Sequence, residues 1–217
     1  MKIGSGVLKQ FAVECRRAAG EYGLMKCSSG NISWRIGANH MLISSNSSWL
    51  SHLKEDQICI CRISDAKCID GKRPSIESAF HAGVLSARKD INVVMHYQTP
   101  FATALACRKK GIKVDYNVIL EIPFYVGEVA AIPFFEGGSP SLAKAVVAAL
   151  KDHNMVQLTN HGQVTVGKDF NDAIQKAVFF EMACQMIVEM DFKVNVLSAA
   201  SVKMLQQSGR SASGKAV

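Results

Sequence analysis

These 217 residues contain no Cys-x-x-Cys pair, no long apolar run, no basic stripe interleaved with aromatics and no internal repeat. Each absence removes a class of protein. The seven cysteines are odd in number and scattered, in a chain too long to need disulfide staples, which points to reduced thiols and a cytoplasmic location. Cys59 and Cys61 flank Ile60 in QICICRI and read as strand interior more readily than as a metal site. No apolar stretch approaches the roughly 20 residues of a membrane helix, so no membrane span is expected. The opening segment MKIGSGVLKQFAVECRRAAG breaks its apolar residues with charges at helical spacing and does not read as a signal peptide. A net charge of +7, with pI near 9.1, permits an anionic partner. The basic residues are dispersed, which argues against nucleic acid and suits a small phosphorylated ligand.

What remains is a composition of 48% hydrophobic and 20% charged residues, ordinary for a globular domain with a substantial core. Apolar residues at helical spacing predict a first helix over 5–22, closed by Gly20 and Gly23. Strands are expected at Ile32–Ile36, Met41–Ser44 and Ile58–Ile63, and Pro74-Ser75 opens a helix to about Arg88. A strand ending at His96, a helix over Ala102–Cys107 and a strand over Ala130–Phe134 follow, with the stretch from Lys109 to Glu128 unassigned. Gly138-Ser139-Pro140 caps a helix over 141–151, a strand–turn–strand spans 155–167, and a long helix runs from Phe170 to Lys193. Without a linker or a repeat, residues 1–197 read as one domain of alternating elements. Residues 198–217, ending SGRSASGKAV, read as a flexible tail.

The most informative residue is His96, which ends an apolar run in NVVMHYQTPFATALAC. Positions two apart on a strand share a side, so His96 and Gln98 should project together and Tyr97 the other way. A second polar cluster, Thr159-Asn160-His161-Gly162, follows the apolar stretch Met155–Leu158. Two imidazoles at two strand ends, with the Glu77 carboxylate, would make a mononuclear metal site. Cys27–Ser33 and Ser44–Ser48 are small polar loops whose backbone could approach a phosphate, though either alone also reads as a turn. Pro74-Ser75-Ile76-Glu77 would set Ser75 as a helix N-cap with Glu77 in the first turn. His40, His52, His81 and His153 read as surface or packing residues.

The order of these words is what raises them above turns and caps. SSGN before a strand, a Ser-rich loop after LIS, PSxE opening a helix, H-x-Q closing a strand and then NHG together resemble the class II aldolase and adducin-head family. The resemblance covers about residues 5–193. It implies a three-layer α/β/α sandwich around a largely antiparallel sheet, usually a homotetramer with sites between subunits. Carried onto matching positions, it implies substrate-phosphate contacts at Gly30, Asn31, Asn46, Ser47, Ser75 and Ile76. It also implies Glu77 as catalytic acid/base and Glu77, His96, Gln98 and His161 as metal ligands, with zinc the expected cofactor. The implied activity is a metal-dependent sugar-phosphate aldolase of the L-fuculose-phosphate type, which releases dihydroxyacetone phosphate and an aldehyde. A tyrosine lent by a neighbouring subunit would be Tyr116 or Tyr125.

Two positions depart from the family pattern. The strand usually ends H-x-H, and here the second position is Gln98, a neutral oxygen donor that opens the metal to ions other than zinc. Ile76 stands where the aldolases often place a second phosphate-facing serine. These departures keep an epimerase, dehydratase or decarboxylase on the same scaffold as an alternative. A catalytically silent assembly module like the adducin head is a further one, against which the retention of Glu77, His96 and His161 counts.

Overall fold

The computed structural model describes residues 3–212, and residues 213–217 of the expected tail lie outside them. Seven strands form one sheet: β1 (Asn31–Ile36), β2 (His40–Ser44), β3 (Ile58–Arg62), β4 (Val93–Tyr97), β5 (Val129–Ile132), β6 (Met155–Leu158) and β7 (Gly162–Gly167). Their spatial order is β3-β2-β1-β4-β7-β6-β5, and every neighbouring pair is antiparallel except β5 with β6. The sheet is therefore largely antiparallel, as expected. Strand β5 stops at Ile132, before Pro133, because proline brings no N–H to the ladder.

Both faces of the sheet are covered, and the central strands β4, β6 and β7 are buried from end to end. Along β4, Val93, Met95 and Tyr97 enter one apolar cluster, which holds α1 (Ser5–Arg16) and α5 (Phe170–Glu189). Val94 enters the other, built on α2 (Ser78–Ala87) and α4 (Pro140–Ala149). Helix α3 (Pro100–Ala106) joins the first layer, its N-terminal amides at Phe101 and Ala102 donating to the Glu181 carboxylate of α5 at 2.9 and 2.8 Å. The result is the expected α/β/α sandwich. Burying a Leu, Ile, Val or Phe side chain contributes about 1.5–3 kcal/mol, so the two clusters are the main stabilising term.

Three expectations are corrected. Helix α1 continues past Arg16 as a π-helical turn, Arg17–Glu21, and does not keep α-geometry to residue 22. Ser75 is not the N-cap of α2: residues 75–77 make a turn, Glu77 occupies the N-cap, and its side chain caps nothing. Residues Ala199–Ala212 form a sixth helix, α6, where a frayed tail was expected. Ser198 Oγ accepts from the Ser201 amide at its start, and Val202, Leu205 and Gln206 form a half-buried stripe on the segment Ile122–Val126. Small polar composition concealed that helical period.

Candidate functional site

Sheet topology brings five distant segments to one place. β1 and β4 run antiparallel with Asn31 opposite His96, and β4 and β7 run antiparallel with His96 opposite Val164. The first residue of β1, the last residues of β2 and β4, and the turn entering β7 thus meet at one end of the sheet, where α2 also starts. They line a cleft of about 450 Å³. Glycine is required at two positions along it. Gly30 has φ +77°, and a Cβ there would lie 2.6 Å from the His96 carbonyl; at Gly162 it would lie 2.6 Å from the Tyr97 carbonyl.

At the floor, Glu77 and His96 are almost fully buried and His161 is partly exposed. Glu77 Oε2 lies 3.6 Å from His96 Nε2, and Oε1 lies 3.7 Å from His161 Nε2. The imidazoles meet edge to face with centroids 4.7 Å apart. His96 Nδ1 lies 2.9 Å from the Gln163 carbonyl, a contact that only a protonated Nδ1 can make. That contact fixes the ring so that Nε2 faces Glu77. Burial and the nearby His96 hold the pKa of His161 below the usual histidine range, against the opposing pull of Glu77. A neutral imidazole is the form that ligates a metal.

Whether a cation fits is decided by Glu77 Oε1, which is buried and has no hydrogen-bond partner. Leaving a carboxylate oxygen bare costs several kcal/mol unless something positive approaches it. One carboxylate oxygen and two imidazole nitrogens within 4.8 Å of one another are a donor set suited to a divalent ion. The residues present fit.

Every residue that the resemblance assigned to phosphate or metal lines this cleft, and the two candidate tyrosines do not. Gly30, Asn31, Asn46, Ser47, Ser75 and Ile76 form the rim and one wall, with Glu77, His96, Gln98 and His161 below. Gln98 sits just beyond β4 with its Cγ against Gly162, on the side of His96, while Tyr97 points to the opposite face, where its hydroxyl meets Met155 Sδ. Ile76 is 57% exposed and adds an apolar patch to the wall. Lys26 and Gly137 also line the cleft without having been singled out. Of the two tyrosines, Tyr116 is engaged in its own core, its hydroxyl accepting from Gln157 Nε2 at 3.3 Å, whereas Tyr125 is surface-exposed.

Sequence reasoning missed His81. It is fully buried on α2, four residues after Glu77. Its Nε2 donates to Asn31 Oδ1 at 2.5 Å, Asn31 Nδ2 donates to Glu77 Oε2 at 2.8 Å, and Ser33 Oγ lies 2.8 Å from its Nδ1. This chain orients Glu77 from behind. Burial keeps His81 neutral, with a pKa well below the histidine norm. The clue in the sequence was spacing: i and i+4 share a helical face.

Comparisons with known proteins show the family and the fold. The family model "Class II Aldolase and Adducin N-terminal domain" matches residues 10–188. The chain is 26% identical over 208 residues to 3-oxo-tetronate 4-phosphate decarboxylase of Haemophilus influenzae, covering 93% of this chain and 97% of that protein. It is 31% identical over 173 residues to L-fuculose phosphate aldolase of Methanocaldococcus jannaschii, covering 80% and 91%. The solved structure of Klebsiella pneumoniae YgbL, whose reaction is left open among aldolase, epimerase and decarboxylase, superposes with a TM-score of 0.84 at 22% identity. That match covers 94% of this chain and all of that one, and it speaks for the fold alone.

Proposed function

The chain belongs to the class II aldolase and adducin N-terminal domain family, and from that premise we propose a metal-dependent carbon–carbon lyase acting on a small phosphorylated hydroxy-carbonyl compound. The carrying observation is the buried Oε1 of Glu77, without a hydrogen-bond partner, beside two imidazoles at the floor of a cleft with a polar rim. Glu77, His96 and His161 would hold the divalent cation, zinc being the usual occupant of such a set, and Gln98 supplies a further oxygen from the same side. The cation would act as a Lewis acid for the negative charge that cleavage leaves on substrate oxygens.

The chain's own residues do the rest. Gly30, Asn31, Asn46, Ser47 and Ser75 offer amides, side-chain donors and close backbone approach to a phosphate. Lys26 adds a cation at the same rim. Glu77, held by Asn31, moves the proton at the reacting carbon once the carbon–carbon bond has broken. Tyr125, exposed where Tyr116 is not, is the tyrosine available to a neighbouring copy in a homotetramer.

Retro-aldol cleavage and decarboxylation share this chemistry, since both leave the same kind of stabilised anion and differ in releasing an aldehyde or carbon dioxide. Retro-aldol cleavage, of the fuculose-phosphate type, is the first reading. Decarboxylation is favoured by the nearly end-to-end match to a decarboxylase and by Ile76 and Gln98 departing from the aldolase pattern. Incubating the metal-loaded protein with L-fuculose 1-phosphate and with 3-oxo-tetronate 4-phosphate, with product identification, separates them. Expected is chelator-sensitive release of an aldehyde or of carbon dioxide, reduced about 10²–10⁴-fold in Glu77→Gln measured at metal concentrations that keep the variant loaded. Absence of both products from both substrates would overturn the reading.

A further inference from the structure

A second set of ligand atoms lies on the edge strand, away from the cleft. Cys59 and Cys61, two apart on β3, share the face that enters the second apolar cluster. The chain then turns at 64–66 and returns, so that Cys68 pairs with Cys61. The bonds that bracket this pair run from Arg62 N to the Lys67 carbonyl and from Ile69 N to the Ile60 carbonyl. Cys61 and Cys68 are therefore a non-hydrogen-bonded antiparallel pair, the arrangement that brings side chains closest. The turn is rigid: Asp65 accepts from the Lys67 amide at 3.0 Å and pairs with Arg62 at 2.6 Å.

Asp70 completes the cluster. Its Oδ2 accepts from the Ile60 amide at 3.2 Å and lies 3.7 Å from Lys72 Nζ, which leaves Oδ1 turned toward the thiols, 2.9 Å from Cys68 Sγ. The Sγ atoms of Cys59 and Cys68 and an Asp70 oxygen lie within 4.8 Å of one another, and Cys61, opposite Cys68 in the ladder, lies just outside that group. A tetrahedral ion with bonds of roughly 2.0–2.3 Å needs ligand–ligand distances of roughly 3.3–3.8 Å, so the side chains must rotate to close the set, Cys61 furthest.

We propose that Cys59, Cys68 and Asp70, with Cys61 as fourth ligand, form a second metal site, selective for a thiolate-preferring divalent cation of the zinc class. Three sulfurs and one oxygen favour such an ion over magnesium or calcium. The site would clip the 64–70 hairpin onto β3 and so brace a sheet edge. Each ligating thiol releases its proton to water, so loading strengthens as pH rises. Burial pushes the Cys59 thiol to about 12, so without the ion that thiol stays protonated and unreactive.

The test is titration of the reduced, chelator-stripped full chain with Cd²⁺, reading sulfur-to-cadmium charge-transfer absorption, to which a carboxylate–histidine site contributes nothing. The band should saturate by two equivalents, the cleft taking the other ion silently, persist in Cys107→Ser, and weaken in affinity by roughly tenfold or more in Cys68→Ser and in Asp70→Asn. Cys68 and Asp70 are partly exposed, and circular dichroism checks that both variants fold. No band at two equivalents of cadmium, or a band unchanged in Cys68→Ser, overturns the proposal. So does a Cys61–Cys68 disulfide in the protein as isolated, seen as two thiols missing from the seven.

Discussion

The cleft and the cysteine cluster each offer a cation at least three ligand atoms, yet they are built in opposite ways. The cleft gathers Asn31, Glu77, His96 and His161 from four parts of the chain, and its donors are braced from behind. His96 is fixed by the Gln163 carbonyl, and Glu77 by Asn31, which is in turn held by His81. The cysteine cluster draws on residues 59–70 alone, and its groups satisfy one another, Cys68 donating to Asp70. The difference teaches what preorganisation costs. In the cleft the neighbours are spent on orientation, and one carboxylate oxygen is left bare. On the hairpin nothing is left bare, and an ion must displace protons to enter. One region is poised for a ligand, the other relaxed without one.

That contrast can be broken most sharply at His96. In His96→Ala the cleft should lose its cation, with zinc affinity falling by more than the roughly 100-fold upper effect of an outer neighbour. Cadmium–sulfur absorption on the hairpin should be untouched. Parallel isothermal titrations of both sites read this, and loss at both sites together would show that they are not independent.

Bracing is tested at His81. His81→Phe removes the donor to Asn31 and the acceptor facing Ser33, so Glu77 should lose its fixed orientation and metal affinity should fall about 10–100-fold. His81→Gln should restore part of it. The same residue carries a pH signature. Its folded pKa is depressed, so the unfolded chain binds the extra proton, and stability should fall as pH drops below about 6.5. The slope attributable to His81 is at most about 1.4 kcal/mol per pH unit, and it continues down toward the depressed folded value. Urea midpoints between pH 7.5 and 5 should therefore decline in the wild type and less steeply in His81→Gln.

The smallest expected effect is at Gln98. An imidazole is the stronger donor, so Gln98→His should raise zinc affinity and Gln98→Ala should lower occupancy modestly. Equal occupancy in all three proteins, measured by elemental analysis, would make Gln98 a neighbour of the site and not a ligand.

Much of this molecule was readable from its residues. Alternation placed His96 and Tyr97 on opposite faces, helical periods placed α1, α4 and α5, and the order SSGN, PSxE, H-x-Q, NHG marked the segments that later met. Misreadings arose where a local rule was overridden. Glu77 read most simply as a first-turn acid beside a helix dipole, but Asn31, 46 residues away, draws its carboxylate into the cleft. Cys59 and Cys61 read as strand interior, which is correct for the backbone and silent about Cys68 across the turn. The residues of 199–212 looked like tail by composition, and their helical stripe has meaning only against the surface it covers.

The sequence by itself determined the elements, the sheet's buried alternation and the chemical types on offer, because periodicity and turn chemistry are local properties. Tertiary structure alone decided which imidazole nitrogen faces Glu77, that His81 stands behind Asn31, and that one carboxylate oxygen goes without a partner. Those outcomes depend on strand order and register, which bring together groups tens of residues apart, and on burial, which makes each hydrogen bond made or missed count.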